Sequence, residues 1–328
     1  MTVPRVVGKL SSRELGLVIN EDDPYSVQVG EYYARARNIP DDQVLRVSLP
    51  VKGSLTPAEF AKLKERVDAF FGDRVQALAL AWKLPFAVDC NSITGALTMG
   101  FDPALCKSST CAKSRASPYF GSRSIRPWRD HGVRLSMLLA ASDVAQARAL
   151  IDRGVRSDGT LGRKWSPVAN VHFVTTADRV RSVRERLFPP AGEVPKFGLA
   201  VFLDKADVLD RPLRVIMYLT GAVQVRKLEE VQFLPGALAD HLTSFGGVMD
   251  KPNSQMTVLS WLAAVAASIC ATVSAAIFTG VSASANRRGV VRLTRLSVHW
   301  ADKITATNNW YGLSYSNSVS ASGACTEK

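Results

Sequence analysis

Short apolar runs alternate with amphipathic stretches along most of the chain, and the two periods separate strands from helices. Leu15-Gly-Leu-Val-Ile19, Gln43 to Leu49 and Ala77-Leu-Ala-Leu-Ala-Trp82 predict buried strands. Between them, Ser26 to Arg37 predicts a helix that stops before Pro40. Thr56-Pro57 opens another helix, with Thr56 as N-cap, Pro57 at the first helical position and Glu59 in the first turn. The pairing repeats as Leu135 to Ala140 followed by Asp143 to Arg153, and again as Asn170 to Thr175 followed by Arg179 to Leu187. Such alternation predicts an α/β fold with a central, mostly parallel sheet and helices on both faces.

Two stretches break the pattern. Asp89 to Asp130 predicts a long irregular insertion that covers the domain. Within it, Ile125-Arg-Pro-Trp-Arg-Asp-His-Gly132 gathers Arg126, Trp128 and His131. That set suits a polar or anionic group, or else Trp128 anchors the flap to the body. The second stretch, Met256 to Asn286, holds no charged residue and runs into Arg287-Arg288. Those are the formal marks of a membrane span with a basic flank. The stretch is rich in Ala, Ser and Thr, however, and divides into a helical part (Thr257 to Ala267) and a β-prone part (Ser268 to Val273). A buried helix followed by a strand is therefore the expectation, with a membrane anchor through 257–280 as the alternative. The organisation expected is one α/β domain over 1–267, with final strands and a divergent tail in 268–328.

With 328 residues, 47% hydrophobic and 21% charged, the chain can bury a full core, which excludes wholesale disorder. The net charge of +12 invites a nucleic-acid reading, but the arginines fall in separate groups and no recognised motif joins them. A solvated basic surface without specific nucleic-acid binding is expected. No Walker loop, Gly-x-Gly-x-x-Gly or His-Glu-x-x-His is present, so no cofactor is expected. The first eight residues lack an apolar segment of signal length, so the chain as written is expected to carry no secretion signal.

Five cysteines are too few for a disulfide scaffold. Cys106 and Cys111 share a polar loop and are the candidates for a small disulfide, with Cys90 as a competitor.

Candidate chemistry gathers in Phe233-Leu-Pro-Gly-Ala-Leu-Ala-Asp-His-Leu-Thr-Ser-Phe-Gly-Gly247, expected to be a loop at the end of a strand. There His241 is either a general base or a polar cap, Asp240 is its neighbouring acid, and Ser244 is either a nucleophile or a turn hydroxyl. His172, inside a strand, reads as a satisfied core or surface residue. Asp22, in Glu21-Asp22-Asp23 at the end of the first strand, either binds a cation or polar ligand or belongs to a set of helix-start acids.

The order of several segments carries a resemblance. Leu17-Val-Ile-Asn-Glu-Asp-Asp-Pro-Tyr-Ser-Val27, Tyr32 to Pro40, Ala79-Leu-Ala-Trp-Lys-Leu-Pro85, Arg134 to Ala141, Leu150 to Val155, Leu234 to Gly247 and Gln255-Met256 follow one another. Together they resemble an uncharacterised bacterial family found in species that carry exosortase, a membrane protein-sorting system. The likeness spans residues 12 to about 262. It implies an accessory role at the cell envelope, with envelope or sorting-system proteins as partners and membrane association as an option. The layout is also similar to that of caspase–gingipain cysteine peptidases, so the sheet is either caspase-like or flavodoxin-like. That second likeness implies a hydrolase with His241 in the catalytic position, but the cysteine expected near Ile277 is missing. A hydrolase reading therefore includes an inactivated copy.

Overall fold

The computed structural model describes residues 10–106, 116–119, 122, 124–158, 164–243, 245–250 and 254–267. Its first half runs β1 (Leu15–Asn20), α1 (Pro24–Arg37), β2 (Val44–Val47), β3 (Ser54–Leu55), α2 (Pro57–Phe71), β4 (Ala77–Leu80), β5 (Ala87–Val88), β6 (Asn91–Ser92), α3 (Ile93–Met99), α4 (Pro127–His131), β7 (Leu135–Leu138) and α5 (Val144–Ser157). The second half adds β8 (Ala169–Thr175), β9 (Gly192–Val194), β10 (Leu199–Lys205), β11 (Val215–Thr220), β12 (Phe233–His241) and α6 (Val258–Ala267).

The α/β class is as the sequence predicts, but two mostly parallel sheets and a small three-stranded one, β3-β5-β6, replace the single sheet expected. The first has the order β2-β1-β4-β7, all parallel. Its central strands β1 and β4 are buried on both sides, and alternate residues feed opposite cores. Leu15, Leu17 and Ile19 join Ala77 and Ala79 under Val29 and Tyr33 of α1 and Ala147 and Ile151 of α5. Val18, Leu78 and Leu80 face the other way, under Phe60, Leu63, Val67 and Phe71 of α2. The second sheet has the order β12-β11-β8-β10-β9, with only β9 antiparallel. α5 touches both β12 and α6, which joins the halves.

Local chemistry sets the helix starts. Thr56 accepts from the Glu59 N–H at 3.2 Å, and the Glu59 carboxylate accepts from the Thr56 N–H at 2.7 Å, a reciprocal cap. Asp143 caps α5 by accepting from the Gln146 N–H at 2.8 Å.

Four expectations change. Phe233–Gly247 is not all loop, because its first nine residues form β12. Gly236 takes φ +80° beside a register shift between β11 and β12, and the strand continues past it. Arg179–Leu187 is not an α-helix but a series of turns ending in a short 3-10 segment, Val183–Leu187. The 89–130 insertion is not uniformly irregular, since α3 contributes Ile93, Ala96 and Leu97 to the core. Ser92 caps that helix by accepting from the Gly95 N–H at 3.0 Å. Finally, Cys106 bonds to Cys90 rather than to Cys111, with Cα atoms 5.3 Å apart. Asn91 brings the two together through a pair of hydrogen bonds with the Asp102 backbone, at 3.1 and 3.3 Å. Cys111 lies outside the described residues.

Among the described residues no helix is long and apolar enough to cross a membrane. α6 buries Val258, Trp261 and Leu262. The rest of the apolar stretch and the 268–328 tail lie outside the described residues.

Arg134 knits the first half together. It is 1% exposed. Its Nε donates to the Val75 carbonyl at 3.3 Å, and its terminal nitrogens donate to Asp68 Oδ1 at 2.8 Å and to the Gly72 carbonyl at the end of α2. Trp128 of the insertion lies against its guanidinium, 3.8 Å from the ring centre. Burial lowers the guanidinium pKa from its ordinary value, and Asp68 opposes that shift. Replacing Arg134 by Ala removes the donors to the buried Val75 carbonyl and to the Gly72 carbonyl and one of the partners of Asp68, which keeps its ion pair with Lys64, and should destabilise the protein by about 1–3 kcal/mol. Arg134→Lys should cost less but not recover the wild-type value, because it loses the planar fork. Urea unfolding followed by circular dichroism measures both.

Candidate functional site

His172 and His241 stand on the same face of the second sheet. β12 ends at the Asp240-His241 pair, and the strand pleat sends the two side chains to opposite faces. Asp240 forms an ion pair with Arg184 of the 179–187 turn. His241, only 6% exposed, faces α6. The chain after β12 doubles back, pinned where Gln255 Oε1 accepts from the Thr243 hydroxyl and from the Phe245 N–H. That return carries the Met256 carbonyl to 2.8 Å from His241 Nε2. The Trp261 indole N–H then donates to His241 Nδ1, also at 2.8 Å.

These partners assign the proton. A carbonyl can only accept and an indole N–H can only donate, so His241 is neutral, with its hydrogen on Nε2. Desolvation lowers its pKa below the ordinary 6.5. In this arrangement the expected general base has no free lone pair, which corrects the catalytic reading of His241. Asp240 does not orient it, and Ser244 lies outside the described residues.

A second histidine has the geometry that His241 lacks. His172 Nδ1 sits 2.9 Å from Asp204 Oδ2, while its Nε2 is buried without a hydrogen-bond partner. Its ring stacks on Phe202 with centroids 4.9 Å apart and planes 13° from parallel. Tyr218 lies 6.5 Å away on the other side. Burial raises the Tyr218 hydroxyl pKa, and the Asp204 charge adds to the shift. A carboxylate holding one imidazole nitrogen and leaving the other as acceptor is the arrangement of an oriented base. The sequence reading of His172 as satisfied holds for one nitrogen only. The register that pairs His172 with Phe202, two positions before Asp204, is what brings the acid to it. Nothing in the linear sequence marks that pairing.

The remaining candidates resolve into scaffolding. His131 Nε2 lies 2.7 Å from the Ser122 hydroxyl, Trp128 packs on Arg134, and Arg126 is exposed at the start of α4. They do not converge on a shared ligand position, and the anchoring role of Trp128 is the one observed. In the acidic trio, Asp23 caps α1 through the Tyr25 N–H at 3.0 Å, and Asp22 accepts from the Ser48 hydroxyl. Among the described residues no cluster of three or more His, Cys, Asp or Glu side chains is placed to hold a metal ion.

Compared with protein-family models, with curated proteins and with solved structures, the chain matches none.

The lowered His241 pKa fixes the sign of a pH effect. As pH falls through about 6.5, the unfolded chain takes up a proton that the folded one resists, so stability drops on the acid side. Chemical denaturation at pH 7.5 and pH 5.5 should show that loss, and His241→Gln should reduce the difference. Trp261→Phe removes the indole donor while keeping most of the ring. It should cost on the order of 1–3 kcal/mol by leaving Nδ1 buried and unpaired.

Proposed function

We propose that this protein is an accessory factor of the bacterial cell envelope, of the kind linked to exosortase sorting, acting by binding rather than by cysteine hydrolysis. The observation that carries the envelope reading is the Cys90–Cys106 disulfide. Disulfides persist in oxidising compartments and are rare in reducing cytosol. The bridge closes a 16-residue separation around β6 and α3, so it locks a segment that feeds the core. The ordered motifs from residue 12 to about 262 support the same reading.

A hydrolase of the caspase–gingipain kind is the second reading. In its favour, His241 stands at the carboxyl end of a parallel strand, where α/β folds collect their chemistry. Against it, Trp261 occupies the lone pair that a base would use.

Two measurements separate these outcomes. Alkylation of the protein extracted from its native cells should leave Cys90 and Cys106 unlabelled until a reductant is added. Labelling of both without reductant would remove the main support for an oxidising location. Reduction should lower stability by about 3 kcal/mol, as expected for a loop of about 15 residues. A thiol-reactive probe should label the remaining cysteines slowly, and equally in His241→Ala. Rapid labelling of one cysteine that disappears in His241→Ala would favour the hydrolase.

A further inference from the structure

We propose that the turn Arg179–Leu187 docks the protein peripherally on an anionic lipid bilayer. This deepens the envelope reading and rests on it only for the presence of a membrane. The turn divides cleanly into an inner and an outer set. Inward, Arg181 pairs with Asp178 at 2.6 Å, Arg184 pairs with Asp240, and Ser182 is buried. Ser182 Oγ accepts from the Thr176 N–H at 3.0 Å. Gly221 packs so closely beneath that a Cβ there would lie 2.4 Å from the same oxygen. The turn is thus held rigidly at the carboxyl edge of the second sheet.

Outward stand Val180, Val183 and Leu187, which are 57%, 49% and 37% exposed. All three belong to the single turn that spans 179–187. Arg179 and Arg186 are exposed on the same turn, and neither forms an ion pair among the described residues. Glu185 is exposed as well and offsets one of these charges.

Single exposed apolar residues need no explanation, but three in the 179–187 turn, beside two exposed arginines without an ion pair among the described residues, make a composite surface. Its chemistry matches a bilayer interface. Valine and leucine enter the headgroup–acyl boundary, while guanidinium groups meet lipid phosphates just above it. The side chains stand out into solvent rather than line a groove, which favours a soft lipid surface over a peptide. The protein's overall charge of +12 adds long-range attraction to anionic headgroups.

The test is co-sedimentation of the full chain with phosphatidylcholine vesicles prepared with and without phosphatidylglycerol. The wild type should bind only the phosphatidylglycerol vesicles and lose binding as salt is raised. Arg179→Gln with Arg186→Gln should weaken binding by about fivefold per arginine. Val180→Ser with Val183→Ser should also weaken it, with the unfolding midpoint unchanged. Failure of the wild type to bind, or equal binding by both double variants, would overturn the proposal. Capture by polyglutamate without vesicle binding would overturn it in favour of an acidic protein partner. An envelope location without vesicle binding defeats this proposal alone. Vesicle binding by a protein whose Cys90 and Cys106 are reduced in its native cells defeats the envelope reading alone.

Discussion

The indole N–H of Trp261 bound to the imidazole of His241 decides more about this molecule than any other contact. It fastens α6 to the end of β12, and with the Met256 carbonyl it fixes one tautomer of the ring. Tyr218 and Phe233 pack edge-on against the same indole, so the hydrogen bond sits inside an apolar layer where an unpaired nitrogen would be costly. Through that one bond, a histidine in a position suited to chemistry becomes part of the core.

The two histidines of this face show how environment divides roles between identical side chains. His241 has a neutral donor on one nitrogen and a carbonyl on the other, and neither hydrogen bond is to a carboxylate. His172 has a carboxylate on one nitrogen and nothing on the other. The difference arises from the strands on which they stand. β12 is an edge strand in the order of the sheet, covered by α6, whereas β8 is central and receives Asp204 from β10 in parallel register.

Much of the first sheet was legible in the linear sequence because its determinants are local. The alternation in Leu15 to Ile19 and Ala77 to Trp82, the Thr56–Glu59 cap and the Asp143 cap each depend on residues a few positions apart. The start of α1 was legible in outline, although Asp23 rather than a later residue provides its cap. The candidate site was legible only as a location. The loop reading rested on the polar residues and glycines of 240–247, whereas the preceding residues pair with β11 across a register shift beside Gly236 and continue the strand. α3 is short and contains Gly95 and two threonines, so burial rather than propensity makes it helical.

The sequence by itself determined the α/β class, the caps and the two-sided burial of β1 and β4, because periodicity and capping act over single turns of chain. Only the tertiary structure decided that the strands divide among separate sheets, that Cys106 meets Cys90, that His241 is closed by Trp261 and that Asp204 reaches His172. Those contacts join residues 16 to 32 positions apart through strand register and helix packing. No local pattern specifies which distant partner a side chain will meet.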